Sequence, residues 1–365
     1  MSRQNPRILI ISPVKDEAKY IEQTIKSMEW QTLRPALWII VNDGSSDEAG
    51  EIADRAAAKH DWIQVVHRPA GTKRRVGPGV IEAFYAGLDH ANMNDFDFVC
   101  KMDGDLVVPL FYFETMMEHF ESNPRLGTGS GKCFIPVDGE LVLERTGDEF
   151  SHGVAKLFRM ACFKEIGGFV RQVMWDGIDC HRCRMLGWDA VSFDELKLQI
   201  IHLRIMGSSF KNVYVGRLRW GFGQYFMGSH PLYLVAISLY RMVERPWILG
   251  GLYIMFGYFR AWITRQERYD DLEFRKHLRQ WQMGKLRDLI TRTKRSPEHF
   301  GGNEAVVQST VQSTKIVQST KTVRSTNLEE DILRAANESL AASKVATGQA
   351  SFEPAEERET VEATK

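Results

Sequence analysis

The chain has 365 residues, and its 47 Lys and Arg balance its 47 Asp and Glu, so the formal net charge is zero. This length allows one large or two ordinary domains, and the neutral balance argues against a protein whose whole surface binds nucleic acid. The five cysteines lack the spacing of a disulfide framework, which fits a reducing compartment. The sequence shows neither the apolar core of a signal peptide nor an apolar run of about 18 residues, so we expect no signal peptide and no simple transmembrane helix.

Strands and helices alternate over the first hundred residues. The apolar runs predict strands that are hydrophobic on both faces, as a parallel sheet requires, and the segments between them have a helical period. The predicted strands are 7–12, 37–41, 62–66 and 96–102, and the predicted helices are 18–30, 47–59 and 79–91. This alternation predicts a doubly wound α/β domain.

The fourth strand ends in two carboxylates separated by one glycine, Asp103-Gly104-Asp105. Ligand sites of open α/β sheets form at the carboxyl ends of strands. Two carboxylates this close repel each other unless a cation lies between them, and Mg²⁺ and Mn²⁺ prefer oxygen ligands. The tripeptide therefore predicts a metal site, with Gly104 leaving room for the ion; a simple Asp-Gly turn is the alternative.

The second half of this domain continues with weaker patterns. Residues 109–121 predict a helix, and the glycine-rich segment 127–133 predicts a tight strand, since its spacing is one residue short of a phosphate-binding loop. A short helix from residue 160 ends at a glycine C-cap. Residues 175–179 are expected to precede a helix, and 188–204 to add a strand-like piece that ends at His202.

The composition changes near residue 215. Residues 220–263 are aromatic and apolar, and residues 260–295 carry 11 Lys and Arg against 5 Asp and Glu. Because the apolar pieces are too short to span a bilayer, the combination predicts helices that lie in the interface of an anionic membrane. A helical subdomain packed against a partner chain is the alternative. We therefore expect a helical, membrane-interfacial region over 215–295 and a low-complexity, mostly disordered tail over 296–365.

Five polar clusters follow the predicted elements in order. They are residues 13–17, 43–47, 73–75, 103–105 and 176–179, and Gly167-Gly168-Phe169 precedes the last of them. In this order and spacing, over about residues 6–205, they resemble a family-2 glycosyltransferase of the GT-A fold. The resemblance implies an α/β, Rossmann-like, doubly wound mixed sheet that binds a nucleotide-diphosphate sugar.

The resemblance implies roles for the first clusters. Pro13, Glu17 and Asp43 would contact the nucleoside of the donor. The basic loop that contains Lys73 and Arg75 is predicted either to bind the diphosphate or to be a solvated loop.

Asp103 and Asp105 would form the DxD pair of such an enzyme, with Asp105 as the direct metal ligand. The ion, Mg²⁺ or Mn²⁺, would offset the charge that grows on the diphosphate leaving group. His202 lies near the place where some GT-A enzymes have a histidine on the metal or the diphosphate. A structural histidine at a strand end is the alternative.

Asp176 falls at the position of the family's general base, six residues before Arg182. Such a base removes the proton of the acceptor hydroxyl, and a single base without a covalent step implies inversion at the anomeric carbon. The sequence departs from the family pattern in two places. Trp175 replaces the acidic residue before the base and Ile178 the one two positions after it, so Asp179 is a rival for the role.

We therefore predict a GT-A catalytic domain at 1–214, with a nucleotide-sugar half at 1–105 and an acceptor half at 106–214. The predicted function is an inverting, metal-dependent glycosyltransferase in polysaccharide biosynthesis. Its acceptor would be a glycan or a lipid-linked saccharide, no nucleic acid would be bound, and the protein would be cytoplasmic and peripheral on the inner face of the cell membrane. A nucleotidyltransferase or a non-catalytic nucleotide-sugar-binding protein is the alternative. The former is disfavoured because residues 13–17 do not form a glycine-rich basic loop.

Overall fold

The computed structural model describes residues 5–69, 77–137, 140–144, 147–204, 213–243 and 247–291. Within these ranges the chain forms eleven strands and ten α-helices. The predicted loop with Lys73 and Arg75 and the predicted tail over 296–365 lie outside the described residues.

The alternation predicted for the first hundred residues is confirmed, with element ends shifted by up to three residues. In chain order the elements are β1 (Ile8–Val14), α1 (Ala18–Glu29), β2 (Leu37–Asn42), α2 (Ala49–Lys59), β3 (Ile63–His67), α3 (Pro78–Leu88) and β4 (Phe98–Met102).

The next hundred residues contain more strands than the sequence indicated. They form β5 (Leu106–Val107), α4 (Tyr112–Ser122), β6 (Leu126–Gly131), β7 (Cys133–Val137), β8 (Glu140–Leu143), β9 (Ala155–Arg159), α5 (Met160–Glu165), α6 (Trp175–Met185), β10 (Asp189–Phe193) and β11 (Ile200–His202). The glycine-rich segment is strand β6, as predicted.

One boundary prediction is wrong. Residues 175–179 do not precede a helix, because α6 begins at Trp175 and so contains both Asp176 and Asp179. The chain turns sharply at Met174, which has a left-handed backbone with φ of 64°. Asp176 therefore lies in the first turn of the helix, where the helix dipole favours a negative charge.

The main sheet has seven strands in the order β10-β6-β9-β4-β1-β2-β3. Strands β4, β1, β2 and β3 are parallel neighbours, whereas β9 runs antiparallel to both β4 and β6. The α/β mixed sheet expected from the resemblance is therefore confirmed. A second sheet of four strands, β5-β11-β7-β8, brings the end of β11 next to the residues that follow β4.

The core lies on both faces of the main sheet. Along β1, Ile8 and Ile10 contact one hydrophobic cluster and Leu9 and Ile11 contact the other. This alternation arises because successive side chains of a strand point to opposite faces. With both faces covered, the strand ends are the part of the sheet that is free to form a ligand site.

The C-terminal described region is helical, as predicted. It consists of α7 (Val213–Met227), α8 (Pro231–Arg241), α9 (Ile248–Ile263) and α10 (Leu272–Thr291). Glycines allow α7 and α9 to pack closely, since a Cβ at Gly221 would lie 2.0 Å from the carbonyl oxygen of Ile254 and one at Gly257 2.2 Å from that of Leu218. Among the described residues, no helix combines the length and the apolar character needed to cross a bilayer.

Candidate active site

A cavity of about 340 Å³ opens at the carboxyl ends of β1, β2 and β4. All but one of the predicted site residues that the structure describes line it, namely Pro13, Glu17, Asp43, Asp103, Asp105, Asp176 and His202. Asp179 does not line it. Residues from four separate predicted clusters thus meet at one edge of the sheet.

Asp105 is the most buried carboxylate of the cavity and lies among cations. Its Oδ2 is 3.2 Å from Nε2 of His202 and 2.5 Å from Nε of Arg204. Burial alone would raise the pKa of Asp105, but the hydrogen bond from His202 and the charges of His202, Arg204 and Lys101 hold it below its ordinary value. Asp105 is therefore ionised and can bind a cation.

Arg204 was not anticipated from the sequence. Its guanidinium bridges two carboxylates that are distant in the chain, since Nη2 lies 2.5 Å from Oε1 of Glu17 while Nε contacts Asp105. Glu17 is buried, and a buried carboxylate requires a partner. The sequence therefore gave only an indirect indication of Arg204. Several carboxylates were predicted to converge on one site, and such a site requires a cation to balance them.

Lys101 was also missed, although it stands two residues before Asp103. Its ammonium is buried, donates to Oδ1 of Asp103 and lies 2.8 Å from the carbonyl oxygen of Gly153. A lysine inside an otherwise apolar strand is unusual unless it is paired. That pattern could have identified it.

Gly104 also has a role in packing. A Cβ at this position would lie 2.9 Å from Cγ2 of Val14 at the end of β1. The glycine thus allows the DxD loop to approach β1.

The residues predicted to bind the nucleoside form the other wall. Oδ1 of Asp43 accepts a hydrogen bond of 2.5 Å from Nη1 of Arg68, and its carbonyl oxygen accepts one of 2.6 Å from Lys15. Burial raises the pKa of Asp43, although the charges of Arg68 and Lys15 oppose that effect. Arg68 and Lys15 therefore hold the loop after β2 in place beside Pro13 and Glu17.

Asp176 and Asp179 lie in different surroundings. Asp176 lines the cavity, and its Oδ2 faces Gly153, where a Cβ would come within 3.3 Å of it. Asp179 is buried and paired with Lys156 at 2.5 Å. Burial raises the pKa of Asp179 to about 6, against the effect of Lys156. Of the two, only Asp176 is open to a substrate in the cavity.

Trp175 and α7 complete the wall beside Asp176. Trp175 is buried and also lines the cavity, with the ammonium groups of Lys101 and Lys156 at 5.3 and 5.6 Å from the centre of a ring of its indole. From α7, Arg219 and Trp220 reach the same cavity. Most of α7 lies beyond the catalytic domain predicted at 1–214, and yet the helix contributes to the site.

A second cluster of polar side chains lies next to Asp105 and includes His202. The ligating atoms of Cys133, Glu144 and His202 all lie within 4.8 Å of one another. Burial alone would lower the pKa of His202, but the hydrogen bond to Asp105 and the nearby carboxylates raise it above its ordinary value. Glu144 was not among the predicted site residues.

Comparison with known proteins agrees with these motifs. Residues 9–161 match the model of the family described as Glycosyl transferase family 2. The match includes the loops after β1 and β2 and the Asp103-Gly104-Asp105 segment, and it ends before Asp176 and His202.

Three curated relatives are similar to parts of the chain. The uncharacterized glycosyltransferase EpsJ of Bacillus subtilis is 34% identical over 118 residues, which are 32% of this chain and 31% of EpsJ. Glycosyltransferase GlyG of Streptococcus pneumoniae is 24% identical over 144 residues, 39% of this chain and 45% of GlyG. Poly-beta-1,6-N-acetyl-D-glucosamine synthase of Staphylococcus aureus is 27% identical over 117 residues, 32% of this chain and 26% of the synthase. The chain thus matches less than half the length of each.

Among solved structures, the chain is similar to mannosyltransferase PcManGT from Pyrobaculum calidifontis, which was solved in complex with GDP-Man and Mn²⁺. The two share 14% sequence identity with a TM-score of 0.45, over 95% of this chain and 89% of that one. This similarity is weak. On the family match, residues 9–161 form a region of the glycosyltransferase family 2 type, and the relatives that the chain resembles in sequence are glycosyltransferases.

Proposed function

We propose that the chain is an inverting glycosyltransferase that moves a sugar from a nucleoside-diphosphate donor to an acceptor hydroxyl. One observation carries the proposal: the loops after β1 and β2, the Asp103–Asp105 pair and Asp176 all line one cavity. A donor nucleoside, its diphosphate and an acceptor hydroxyl each require one of these three parts. The names of the curated relatives, which are glycosyltransferases and a polysaccharide synthase, support a glycan or lipid-linked acceptor.

Asp103, Asp105 and His202 suit a divalent ion, Mg²⁺ or Mn²⁺. The imidazole of His202 lies beside the carboxylate of Asp105, with Nε2 3.2 Å from Oδ2, so the two side chains are close enough to share one ion. Among the described residues, the side-chain contacts of the two aspartates use Oδ1 of Asp103 and Oδ2 of Asp105, which leaves the second oxygen of each for an ion. When bound, the ion supplies Lewis-acid stabilisation of the charge on the diphosphate leaving group.

The chain's own residues perform the remaining steps. Lys101 and Arg204 add fixed positive charge where the diphosphate would lie, and preorganised charge of this kind is a large contribution to catalysis. Asp176 accepts the proton of the acceptor hydroxyl while its oxygen forms the new bond to the anomeric carbon. The bond from that carbon to the diphosphate breaks at the same time, and the diphosphate keeps the electron pair. Because no residue forms a covalent intermediate, the configuration inverts.

A donor screen tests this proposal. Purified protein is incubated with UDP-, GDP- and dTDP-sugars in Mn²⁺ or Mg²⁺, and sugar release or transfer is measured. We expect metal-dependent turnover of one donor class and a loss of about 100-fold or more in Asp105→Ala. Asp61→Ala, which removes an exposed aspartate far from the cavity, is the matched control and should retain wild-type turnover. If no donor is bound or consumed in a metal-dependent way, the proposal is wrong.

We also propose that α8 and α9 rest on an anionic bilayer at the inner face of the cell membrane, where a lipid-linked acceptor would be presented. The observation is an exposed apolar face on α9, opposite the face that packs on α7. It consists of Ile248, Leu249, Leu252 and Phe256, each between 45% and 63% exposed. These positions recur at helical spacing, and the basic excess of residues 260–295 follows them in the chain.

Vesicle sedimentation tests the membrane proposal. We expect the wild type to sediment with vesicles that contain phosphatidylglycerol, and to sediment less with phosphatidylcholine alone, because the basic residues require anionic lipid. A Leu252→Asp, Phe256→Asp double variant should stay in the supernatant. Leu196→Asp, which alters an exposed leucine of the catalytic domain, is the control and should sediment like the wild type. Wild-type protein that ignores anionic vesicles would refute the proposal.

A further inference from the structure

Glu144 is a carboxylate close to His202 that the proposed mechanism does not use. Glu144 follows β8, and its backbone N–H donates to the carbonyl oxygen of Cys133 at 2.8 Å. Strand β7 in turn pairs with β11, which positions Cys133 opposite Ile200. The four-stranded sheet thereby brings Glu144 and His202 together, with their ligating atoms no more than 4.8 Å apart.

Two buried polar atoms in this group lack partners. Nδ1 of His202 and one carboxylate oxygen of Glu144, Oε2, find no hydrogen-bond partner among the residues that the structure describes. A buried polar atom without a partner costs free energy, so native structures rarely leave one unpaired. The two atoms belong to neighbouring side chains, and an imidazole N–H and a carboxylate oxygen are complementary as donor and acceptor.

The imidazole of His202 lies between two carboxylates. Its Nε2 faces Asp105 at 3.2 Å, and a carboxylate oxygen of Glu144 lies within 4.8 Å of one of its ring nitrogens. Because Nε2 is engaged by Asp105, Nδ1 is the nitrogen available to Glu144. A neutral imidazole carries one proton, and the nitrogen that binds a metal must be the other one. Histidine ligands usually donate this second N–H to a carboxylate, which fixes both the tautomer and the ring orientation.

We infer that Glu144 is a positioning residue that accepts the Nδ1–H of His202 and so directs the Nε2 lone pair of His202 toward a divalent cation held with Asp105. The inference rests on the proposed metal-dependent function. Cys133 supports it, because its sulfur lies within 4.8 Å of a carboxylate oxygen of Glu144 and so borders that group.

The same three side chains could instead hold an ion among themselves, but two observations favour positioning. Cys133 and Glu144 do not line the cavity, so an ion held by all three side chains would lie away from the position proposed for the diphosphate. Nε2 of His202 is already directed at Asp105 on the cavity side. A direct Cys133–Glu144–His202 site therefore becomes one of the outcomes that the experiment excludes.

Binding of Mn²⁺ alone, followed by electron paramagnetic resonance of the free ion, tests the inference without any sugar donor. Glu144→Ala should weaken Mn²⁺ binding by about 10- to 100-fold. Glu144→Gln should be less affected because its amide oxygen still accepts a hydrogen bond. Glu140→Ala, which removes an exposed glutamate from the same hairpin, is the matched control and should bind like the wild type. In a His202→Ala background, Glu144→Ala should have no further effect, since it acts through the imidazole.

A second readout reports the tautomer directly. Long-range ¹H–¹⁵N correlation spectra of the metal-free protein should show a proton on Nδ1 of His202 in the wild type, beside the Nε2–H that donates to Asp105, and only the Nε2–H in Glu144→Ala. If Glu144→Ala changes neither the tautomer nor the Mn²⁺ affinity, or weakens binding equally without His202, the inference is wrong. A loss in Cys133→Ser as large as that in Glu144→Ala would mean that the three side chains bind the ion themselves, and it would also overturn the inference. If the wild type binds no Mn²⁺, the metal part of the proposed function fails, whereas the tautomer still decides the role of Glu144.

Discussion

At the scale of single residues, the site is built from buried carboxylates that are matched by cations from other elements. Arg204 bridges Glu17 and Asp105, and Lys101 pairs with Asp103. Because a charge removed from water is costly unless it is paired, each of these cations stabilises the folded site as well as serving the proposed chemistry. Loss of one partner should therefore be visible in stability before any activity is assayed.

Arg204→Ala should lower the free energy of unfolding by about 3 kcal/mol, since it leaves two buried carboxylates without their shared cation. Urea denaturation without metal measures the change. Arg204→Lys keeps the charge but not the two-armed contact, so its loss should be intermediate. Added Mn²⁺ should stabilise Arg204→Ala more than the wild type. An unchanged urea midpoint in Arg204→Ala would contradict the bridging role.

The buried ion pair of Lys156 and Asp179 yields a second prediction about stability, in which a double substitution restores what a single one loses. Asp179→Leu leaves the Lys156 ammonium buried and unpaired, so we expect a loss of about 3–5 kcal/mol in the free energy of unfolding. Replacing both residues, with Lys156→Met and Asp179→Leu, should restore stability to near the wild-type value or above it. Thermal and urea denaturation of the single and double variants measure both effects. A double variant as unstable as the single one would show that the pair itself is essential.

The contribution of the Lys156–Asp179 pair to the free energy of unfolding should change with pH in a defined direction. Burial raises the pKa of Asp179 from 3.8 to about 6, so the folded state binds its proton more tightly than the unfolded state. The stability that this proton contributes is present below about pH 4 and is lost as the pH rises through about 6. The stability of the double variant relative to the wild type should therefore increase over that window. A constant difference between pH 4 and pH 7 would contradict the raised pKa.

At the scale of elements, the close packing of α7 on α9 links the helical region to the cavity. Gly221→Ala would direct a Cβ into the carbonyl of Ile254 and push α7 away from α9. Because α7 carries Arg219 and Trp220 in the cavity wall, both the melting temperature and donor binding should fall. Gly284→Ala on α10 is the control, since a Cβ there meets no atom within 4 Å. It should be neutral or stabilising by about 0.5–1 kcal/mol, and equal effects of the two substitutions would refute the packing account.

The helices and strands also show which features of the fold could be predicted from the sequence and which could not. The strands of the first half were predictable because each is a short apolar run that ends in polar residues. The start of α6 was not, since Met174 adopts a left-handed backbone without the glycine or capping side chain that signals such a turn. The contact of Arg204 with Glu17 spans 187 residues, and no local pattern reports a pairing at that distance. The predicted carboxylates of the cavity could thus be found from motifs, but Lys101, Arg204 and Glu144 required the fold.

At the scale of the whole molecule, the helical region and the α/β domain share the site. Arg219 and Trp220 of α7 line the same cavity as Asp105 and Asp176. The exposed apolar face of α9 lies on the other side of the α7–α9 contact. In the proposed function, contact with a bilayer through α9 would therefore bring the cavity close to a lipid-linked acceptor.

Donor binding and sugar transfer, measured side by side on Asp176→Asn, test the central claim most directly. We predict donor affinity within about twofold of the wild type and sugar transfer lower by about 10²–10⁴-fold, because the acceptor proton then has no base. Asp179→Asn, whose side chain lies outside the cavity, should lose stability and yet transfer sugar when it is folded. An Asp176→Asn protein that binds its donor and transfers sugar at the wild-type rate would contradict the account.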